Sequence, residues 1–282
     1  MQQNERLKDI RVFAEQIRVE TLKEFKSLGF GHVGGSMSII ETLAVLYKDT
    51  LKFDTANPKM RNRDFLVTSK GHAGPSVYAT LALCGFFPVE ELQTLNKPHT
   101  NLPSHTDRLK TAGVDMTTGS LGQGVSSATG IALANKIDKL SSRTFVFVGD
   151  GELNEGQCWE SAQFAAHHKL DRFTVLVDNN KKQLDGTCDE IMKSFDIAKK
   201  YEAFGFHAVT VDGHDIEAIL NAIENANKET TKPSCIVLDT VKAKGCSFAE
   251  KVEKNHSSTF NAEQIDEAIA HAQSALDEAL KA

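Results

Sequence analysis

The 282 residues predict an α/β fold, a doubly wound, mostly parallel sheet with helices on both faces. Two observations carry that prediction. Short apolar runs rich in β-branched and aromatic residues alternate along the chain with longer stretches of helical composition. Several of those runs also end in polar, glycine-containing loops, the pattern expected where the carboxyl ends of parallel strands open on a ligand crevice.

The elements follow in order. Asn4 to Leu28 reads as a long amphipathic helix, with Leu7, Ile10, Phe13, Ile17 and Phe25 at three- and four-residue steps between charged residues. Gly31-His32-Val33-Gly34-Gly35-Ser36 breaks that period, and Ser36 is placed to cap a helix from Met37 to Tyr47. Asp64 to Thr68 is a short strand. It runs into Ser69-Lys70-Gly71-His72-Ala73-Gly74-Pro75 and a helix over 76–84, so a histidine sits in a glycine loop at a strand-to-helix transition, where backbone N–H groups favour anions. Val89 to Leu95 is a short helix. The stretch from Lys97 to Asp115, with His99 and His105, has no strong period, and loops of that length are commonly functional. Thr117-Thr118-Gly119-Ser120-Leu121-Gly122-Gln123-Gly124 then opens a small-residue helix to about Ile137. Its glycine spacing is not that of a dinucleotide fingerprint and no strand immediately precedes it.

The centre of the chain is the most informative. Thr144-Phe145-Val146-Phe147-Val148 ends in Gly149-Asp150-Gly151; Glu155 to His168 is helical; Phe173-Thr174-Val175-Leu176-Val177 ends in Asp178-Asn179-Asn180. That is strand, helix, strand, with a carboxylate and an amide thirty positions apart at the two carboxyl ends. Hard oxygen donors suit Mg²⁺ or Ca²⁺ rather than zinc, and Mg²⁺ is usually shared between one or two protein groups and phosphates. Gly149 and Gly151 leave no side chain between backbone and a bulky anion. The local reading is a metal–diphosphate site. Beyond it come a helix around 195–204, a strand His207 to Val211, a helix Asp215 to Ala226, a strand Ser234 to Thr240, a loop carrying His256, and a polar amphipathic helix to the end. With no repeat, low-complexity tract or linker, residues 1–282 are expected to form a single domain, closed by an amphipathic helix over 262–282.

Composition bounds the function. Hydrophobic content of 40% and charged content of 25% belong to an ordinary globular protein. Net charge is −6 and no basic block stands out, which argues against nucleic acid. No run reaches transmembrane length and the N-terminus has no apolar signal core, so no membrane role and a cytoplasmic location are expected. The five cysteines, odd in number and without a Cys-x-x-Cys pair, are expected to be reduced packing thiols.

Four separated segments, GHVGGSMS, RDFLVTSKGHAGPSVY, GVDMTTGSLGQG and GDGELNEGQCWE followed by VDNNKKQLDG, agree in order and spacing with one family. Together they cover roughly residues 10 to 245, and the chain resembles the N-terminal, thiamine-diphosphate-binding half of transketolase. Members usually run to about twice this length and continue into a pyrimidine-binding domain. The resemblance is therefore to one subunit of a split transketolase, with the fold of the diphosphate-binding (PP-type) domain. It implies thiamine diphosphate and Mg²⁺ (or Ca²⁺ or Mn²⁺) as cofactors. Asp150 and Asn180 match the side-chain metal ligands and Lys182 the position that offers a backbone carbonyl. Gly151 matches the glycine that contacts the diphosphate. His72 and His256 match histidines at the diphosphate or nearby substrate, and His32 and His105 histidines that face sugar hydroxyls and move protons. Gly119 and Leu121 match positions flanking the cofactor rings, and Glu155 a glutamate at the interface between subunits that links two active sites. Around His256 the chain reads Asn255-His256-Ser257-Ser258, where split members often show Trp-His-Gly, and around His105 Ser104-His105-Thr106-Asp107, a departure from the family's more usual Gly-His-Pro.

What the resemblance implies is transfer of a two-carbon ketol unit from an anionic ketose, a sugar phosphate or sugar sulfonate, to an aldose. In the family the group that activates the cofactor lies on the pyrimidine-binding domain, so a C-terminal partner subunit in an α₂β₂ heterotetramer is implied. Two other readings share parts of the motif set: an α-type subunit of a 2-oxo-acid decarboxylase or dehydrogenase, which has the same metal motif, and a non-catalytic cofactor-binding scaffold. The histidine loops favour transketolase over the first, and intact Asp150, Asn180 and His72 weigh against the second.

Overall fold

The apolar runs pair as strands whose inner members bury both faces, while the edge strand His207–Asp212 stays only partly covered; the segments between them coil as helices that pack on the sheet. A computed structural model describes residues 2–282. In chain order its helices are α1 (Gln2–Leu28), α2 (Val33–Met37), α3 (Ile40–Val45), α4 (Gly74–Leu83), α5 (Gln123–Ile137), α6 (Gly156–His167), α7 (Cys188–Ile191), α8 (Ile197–Ala203), α9 (Ile216–Lys228) and α10 (Ala262–Lys281). Its strands are β1 (Phe30–Gly31), β2 (Phe65–Thr68), β3 (Thr144–Gly149), β4 (Phe173–Asn179), β5 (His207–Asp212), β6 (Ser234–Asp239) and β7 (Ser258–Thr259). Five of the strands form one parallel sheet in the order β2-β3-β4-β6-β5.

The side-chain period of two divides the core between the sheet's faces. Phe145, Phe147, Leu176, Ile236 and Leu238 point to the layer built by α1, α3, α4, α9 and α10. Val146, Val148, Val175, Val177 and Val237 point to the layer of α5, α6 and α8. The predicted doubly wound architecture is thus the observed one. Among the described residues no helix is long and apolar enough to cross a membrane. The cysteines are unpaired thiols, four of them buried.

Two local readings differ. The helix expected over 37–47 is broken: α2 starts four residues earlier, α3 follows it, and the chain widens into a π turn over Leu46–Thr50. Ser36 therefore lies inside α2 rather than capping it, and its hydroxyl donates to the carbonyl of His32 at 2.9 Å. The second difference is an addition. β1 and β7 pair antiparallel, Phe30 with Thr259 and Gly31 with Ser258, across more than two hundred residues. Two-residue strands carry no sequence period, so only the assembled fold defines them.

Candidate functional site

The register of the central strands creates the site. Gly149 stands opposite Asp178 on neighbouring parallel strands, and the Asp150 amide donates to the Asp178 carbonyl at 3.1 Å. Asp150 and Asn180 therefore leave the sheet side by side at its carboxyl end, where backbone groups run out of strand partners and loops open. A cavity of about 280 Å³ lies over them. Asp150, Gly149, Gly151, Asn180 and Lys182 line it, together with Gly119 and Leu121. His32, His72, His105 and His256 line it as well.

Those four histidines come from four separate loops. The ring of His32 lies 5.7, 5.4 and 5.5 Å from those of His72, His105 and His256, and His72 lies 4.7 Å from His256. The short β1–β7 ladder brings the His32 loop to the His256 loop. Close approach is also required at Gly35, where a Cβ would fall 2.9 Å from the His72 ring, and at Gly124, where it would fall 2.6 Å from the Ser69 backbone. Burial lowers the pKa of all four rings. His105 adds to the effect on His32, Lys70 on His72, and Lys242 on His256, which is brought to about 4. All four are neutral near pH 7, so each presents one donor and one acceptor nitrogen, the state needed to pass protons at hydroxyl groups.

Every candidate site residue drawn from the sequence lines this cavity except Glu155. Glu155 is exposed at the N-cap of α6 and makes no side-chain cap bond. The buried carboxylate of that loop is Glu152, which accepts from the Gly122 amide at 2.8 Å, the Gly149 amide at 3.1 Å and the Ser69 hydroxyl. It ties the 117–124 loop to the 149–152 loop.

Two lysines with no distinguishing role in the sequence also line the cavity. Lys70, 1% exposed, donates to the Gly35 carbonyl at 2.7 Å and to Asp178 at 2.6 Å. Lys242, 3% exposed, donates to the carbonyls of Lys182 and Gln183 at 2.9 and 3.1 Å and approaches His256 Nδ1 at 3.4 Å. Burial brings the Lys242 pKa down to about 8. Lys70 shares a glycine loop with His72, a local signal of a site, whereas Lys242 follows an ordinary strand and carries no such signal. Ala243, immediately after Lys242, and Lys181, immediately after Asn180, both adopt left-handed backbone with φ of 65° and 66°. Non-glycine residues in that region concentrate at functional sites.

The donor set fits a divalent cation with a diphosphate. Asp150 accepts from the Gly151 amide at 2.7 Å and the Lys181 amide at 2.5 Å, leaving lone pairs on both oxygens. Burial, and then the nearby Asp178 charge, push its pKa up to about 6, the signature of a carboxylate short of positive charge. Asn180 Oδ1 accepts only a long bond from the Lys182 amide, 3.2 Å. These are buried hard oxygen donors. Against them stand two buried ammonium groups and the Gln183 side-chain nitrogen, buried and without a hydrogen-bond partner. A cation held by the oxygen donors together with an anion facing the nitrogen donors would satisfy both sets.

The comparisons with known proteins agree with this geometry. The family model described as "Transketolase, thiamine diphosphate binding domain" matches residues 10–273. The chain is similar to the 6-deoxy-6-sulfo-D-fructose transketolase subunit SqwG of Clostridium sp. (strain MSTE9), with 48% identity over 93% of this chain and 95% of that protein. It is also similar to one of the subunits of the apulose-4-phosphate transketolase of Phocaeicola vulgatus, with 34% identity over 85% of each chain. Among solved structures, transketolase from Campylobacter jejuni superposes with a TM-score of 0.87 at 30% identity, over 98% of this chain and 45% of that one. The chain thus spans less than half of that transketolase and nearly all of the SqwG protein. On these grounds the chain belongs to the transketolase family, in its thiamine diphosphate-binding domain.

Proposed function

We propose that residues 1–282 act as one unit that holds the diphosphate of thiamine diphosphate and its metal ion, as one half of a two-subunit transketolase. The observation that carries this reading is the pair Asp150 and Asn180, side by side on neighbouring strand ends in a cavity also lined by four neutral histidines. Asp150, Asn180 and the Lys182 carbonyl would hold Mg²⁺; Ca²⁺ or Mn²⁺ suits the same oxygen set. Lys242, His72, His256 and the Gln183 amide face the space the diphosphate needs, and Gly149 and Gly151 keep it clear. Bound thiamine diphosphate supplies the electron sink at the reacting carbon. The chain's own share is to orient and to move protons. His32 and His105 line the same cavity, where a neutral imidazole can take a proton from one sugar hydroxyl and return it to another, a contribution of about 10²–10⁴ in rate. Gly119 and Leu121 bound the ring end of the cavity.

The remaining parts belong to a partner. We assign the pyrimidine-binding domain to a C-terminal transketolase subunit, in an α₂β₂ heterotetramer in the cytoplasm, with exposed Glu155 turned toward that interface. The donor is taken to be an anionic ketose: one relative is named for a sulfonated sugar and another for a phosphorylated one, and the more similar of the two makes the sulfonate the first to try. The test is an assay of ketol transfer from a ketose sulfonate or phosphate to an aldose, with pyruvate as a control substrate. The purified chain with thiamine diphosphate and Mg²⁺ should be inactive, and adding the partner should give ketol transfer without pyruvate consumption. Turnover by this chain alone, or pyruvate consumption by the pair, would overturn the reading.

A further inference from the structure

Beneath the candidate metal ligands lies a second layer with one carboxylate at its centre. Asp178 has no exposed surface, and four side chains from four parts of the chain converge on it. Its Oδ2 accepts from Ser38 Oγ at 2.7 Å, Lys70 Nζ at 2.6 Å and Asn180 Nδ2 at 2.7 Å; its Oδ1 accepts from Thr240 Oγ1 at 2.5 Å. Ser38 comes from the α2–α3 segment, Lys70 from the loop after β2, Thr240 from the end of β6. The consequence falls on Asn180. An amide can be turned either way, and with its nitrogen committed to Asp178 its oxygen faces the cavity, where a cation needs an acceptor. The same carboxylate anchors Lys70 against the Gly35 carbonyl.

Resting on the metal–diphosphate reading of the site above, we infer that Asp178 is a positioning residue: it fixes the Asn180 amide oxygen-outward and thereby sets the affinity of the site for its divalent cation. Groups that orient a metal ligand from behind commonly change metal affinity by about 10–100-fold when removed.

The test must not leave a buried charge unpaired, so Lys70→Met serves as a common background. In that background Asp178→Asn keeps a carbonyl for Asn180 Nδ2 and an amide nitrogen for the Thr240 hydroxyl, whereas Asp178→Leu fills the space with no acceptor. The measurement is the Mg²⁺ concentration that half-saturates thiamine diphosphate binding, by calorimetry on the full chain, with melting of the cofactor-free protein alongside. Asp178→Leu should need at least about tenfold more Mg²⁺ than Asp178→Asn. Equal half-saturation of the two, with only the melting temperature moved, would reduce Asp178 to a structural role and overturn the inference. Should the position 178 variants fail to fold, Ser38→Ala in the otherwise native chain frees one of the donors that fix Oδ2, the oxygen that holds Asn180 Nδ2, with little change of shape. It should raise the Mg²⁺ requirement about threefold, and an unchanged requirement overturns the inference equally. Absence of Mg²⁺-dependent cofactor binding by the unmodified chain would instead remove the reading of the site itself.

Discussion

Two fully buried carboxyl groups sit in opposite surroundings. Asp178, at the carboxyl end of the sheet, accepts four hydrogen bonds and faces a lysine. Burial would raise its pKa, but the Lys70 ammonium and the hydroxyls of Thr240 and Ser38 more than offset that, and it stays ionised. Glu24, near the end of α1 and equally without exposed surface, has no partner for either oxygen. Burial, and then the neighbouring Glu20, raise its pKa well above the usual carboxylate range. The sheet end therefore concentrates charge it can support with donors, while the helical layer tolerates a carboxyl only as the neutral acid. A cation site is possible in the first region and not in the second, because only there is negative charge kept in place before the ion arrives.

The contrast can be broken at its strongest point first. Asp150→Ala removes the carboxylate with lone pairs free for the ion, and Mg²⁺-dependent binding of thiamine diphosphate should fall by more than about a hundredfold in a calorimetric titration. Retained binding would mean that the sheet end holds no metal.

A middle-sized effect concerns the four histidines. Each of the four folded-state pKa values is depressed, so between the unfolded value of 6.5 and the folded values, about 4 for His256, the unfolded chain takes up protons that the folded chain refuses. This contribution is fully present above pH 6.5 and is lost as pH falls through that window. Melting of the cofactor-free protein should drop by several degrees from pH 7 to pH 5, where each kcal/mol is worth roughly 2–4 °C. His256→Asn should flatten part of the drop, and an identical pH profile would show that the ring carries no such penalty.

The smallest effect tests the other region. With its pKa raised, Glu24 contributes fully below the unfolded value of 4.5 and its contribution is lost as pH rises. Glu24→Gln should melt like the native chain near pH 4.5 and gain on it by about 2–4 °C at pH 7.5. A variant that loses ground as pH rises would place an unseen cation beside Glu24 and erase the contrast.

Much of this was legible in the residues. The strand ends Gly149-Asp150-Gly151 and Asp178-Asn179-Asn180 stood out because parallel strands bury both faces, so their apolar runs stop abruptly where polar loops begin. His32 and His72 stood out because glycines surround them. Lys242 did not, because nothing local distinguishes a loop lysine that will be buried from one that will be solvated. Its environment is made by β6 lying next to β4, an adjacency that skips β5 in chain order. Asp178 was visible as part of a motif, yet its donors Ser38, Lys70 and Thr240 lie 140, 108 and 62 residues away. The β1–β7 ladder that joins the His32 and His256 loops was equally silent, since two residues are too few to show a period.

What the sequence determined by itself is the alternation of strand and helix, the burial pattern that makes the sheet parallel, and the loop chemistry at two strand ends. These depend on neighbours within a few positions, where covalent geometry and hydrophobic period act. Strand order, the meeting of four histidines, and the donors gathered around Asp178 were decided only by tertiary structure. They are contacts between segments far apart in the chain, and their energy comes from burying charge and hydrogen bonds together, which no single segment can encode alone.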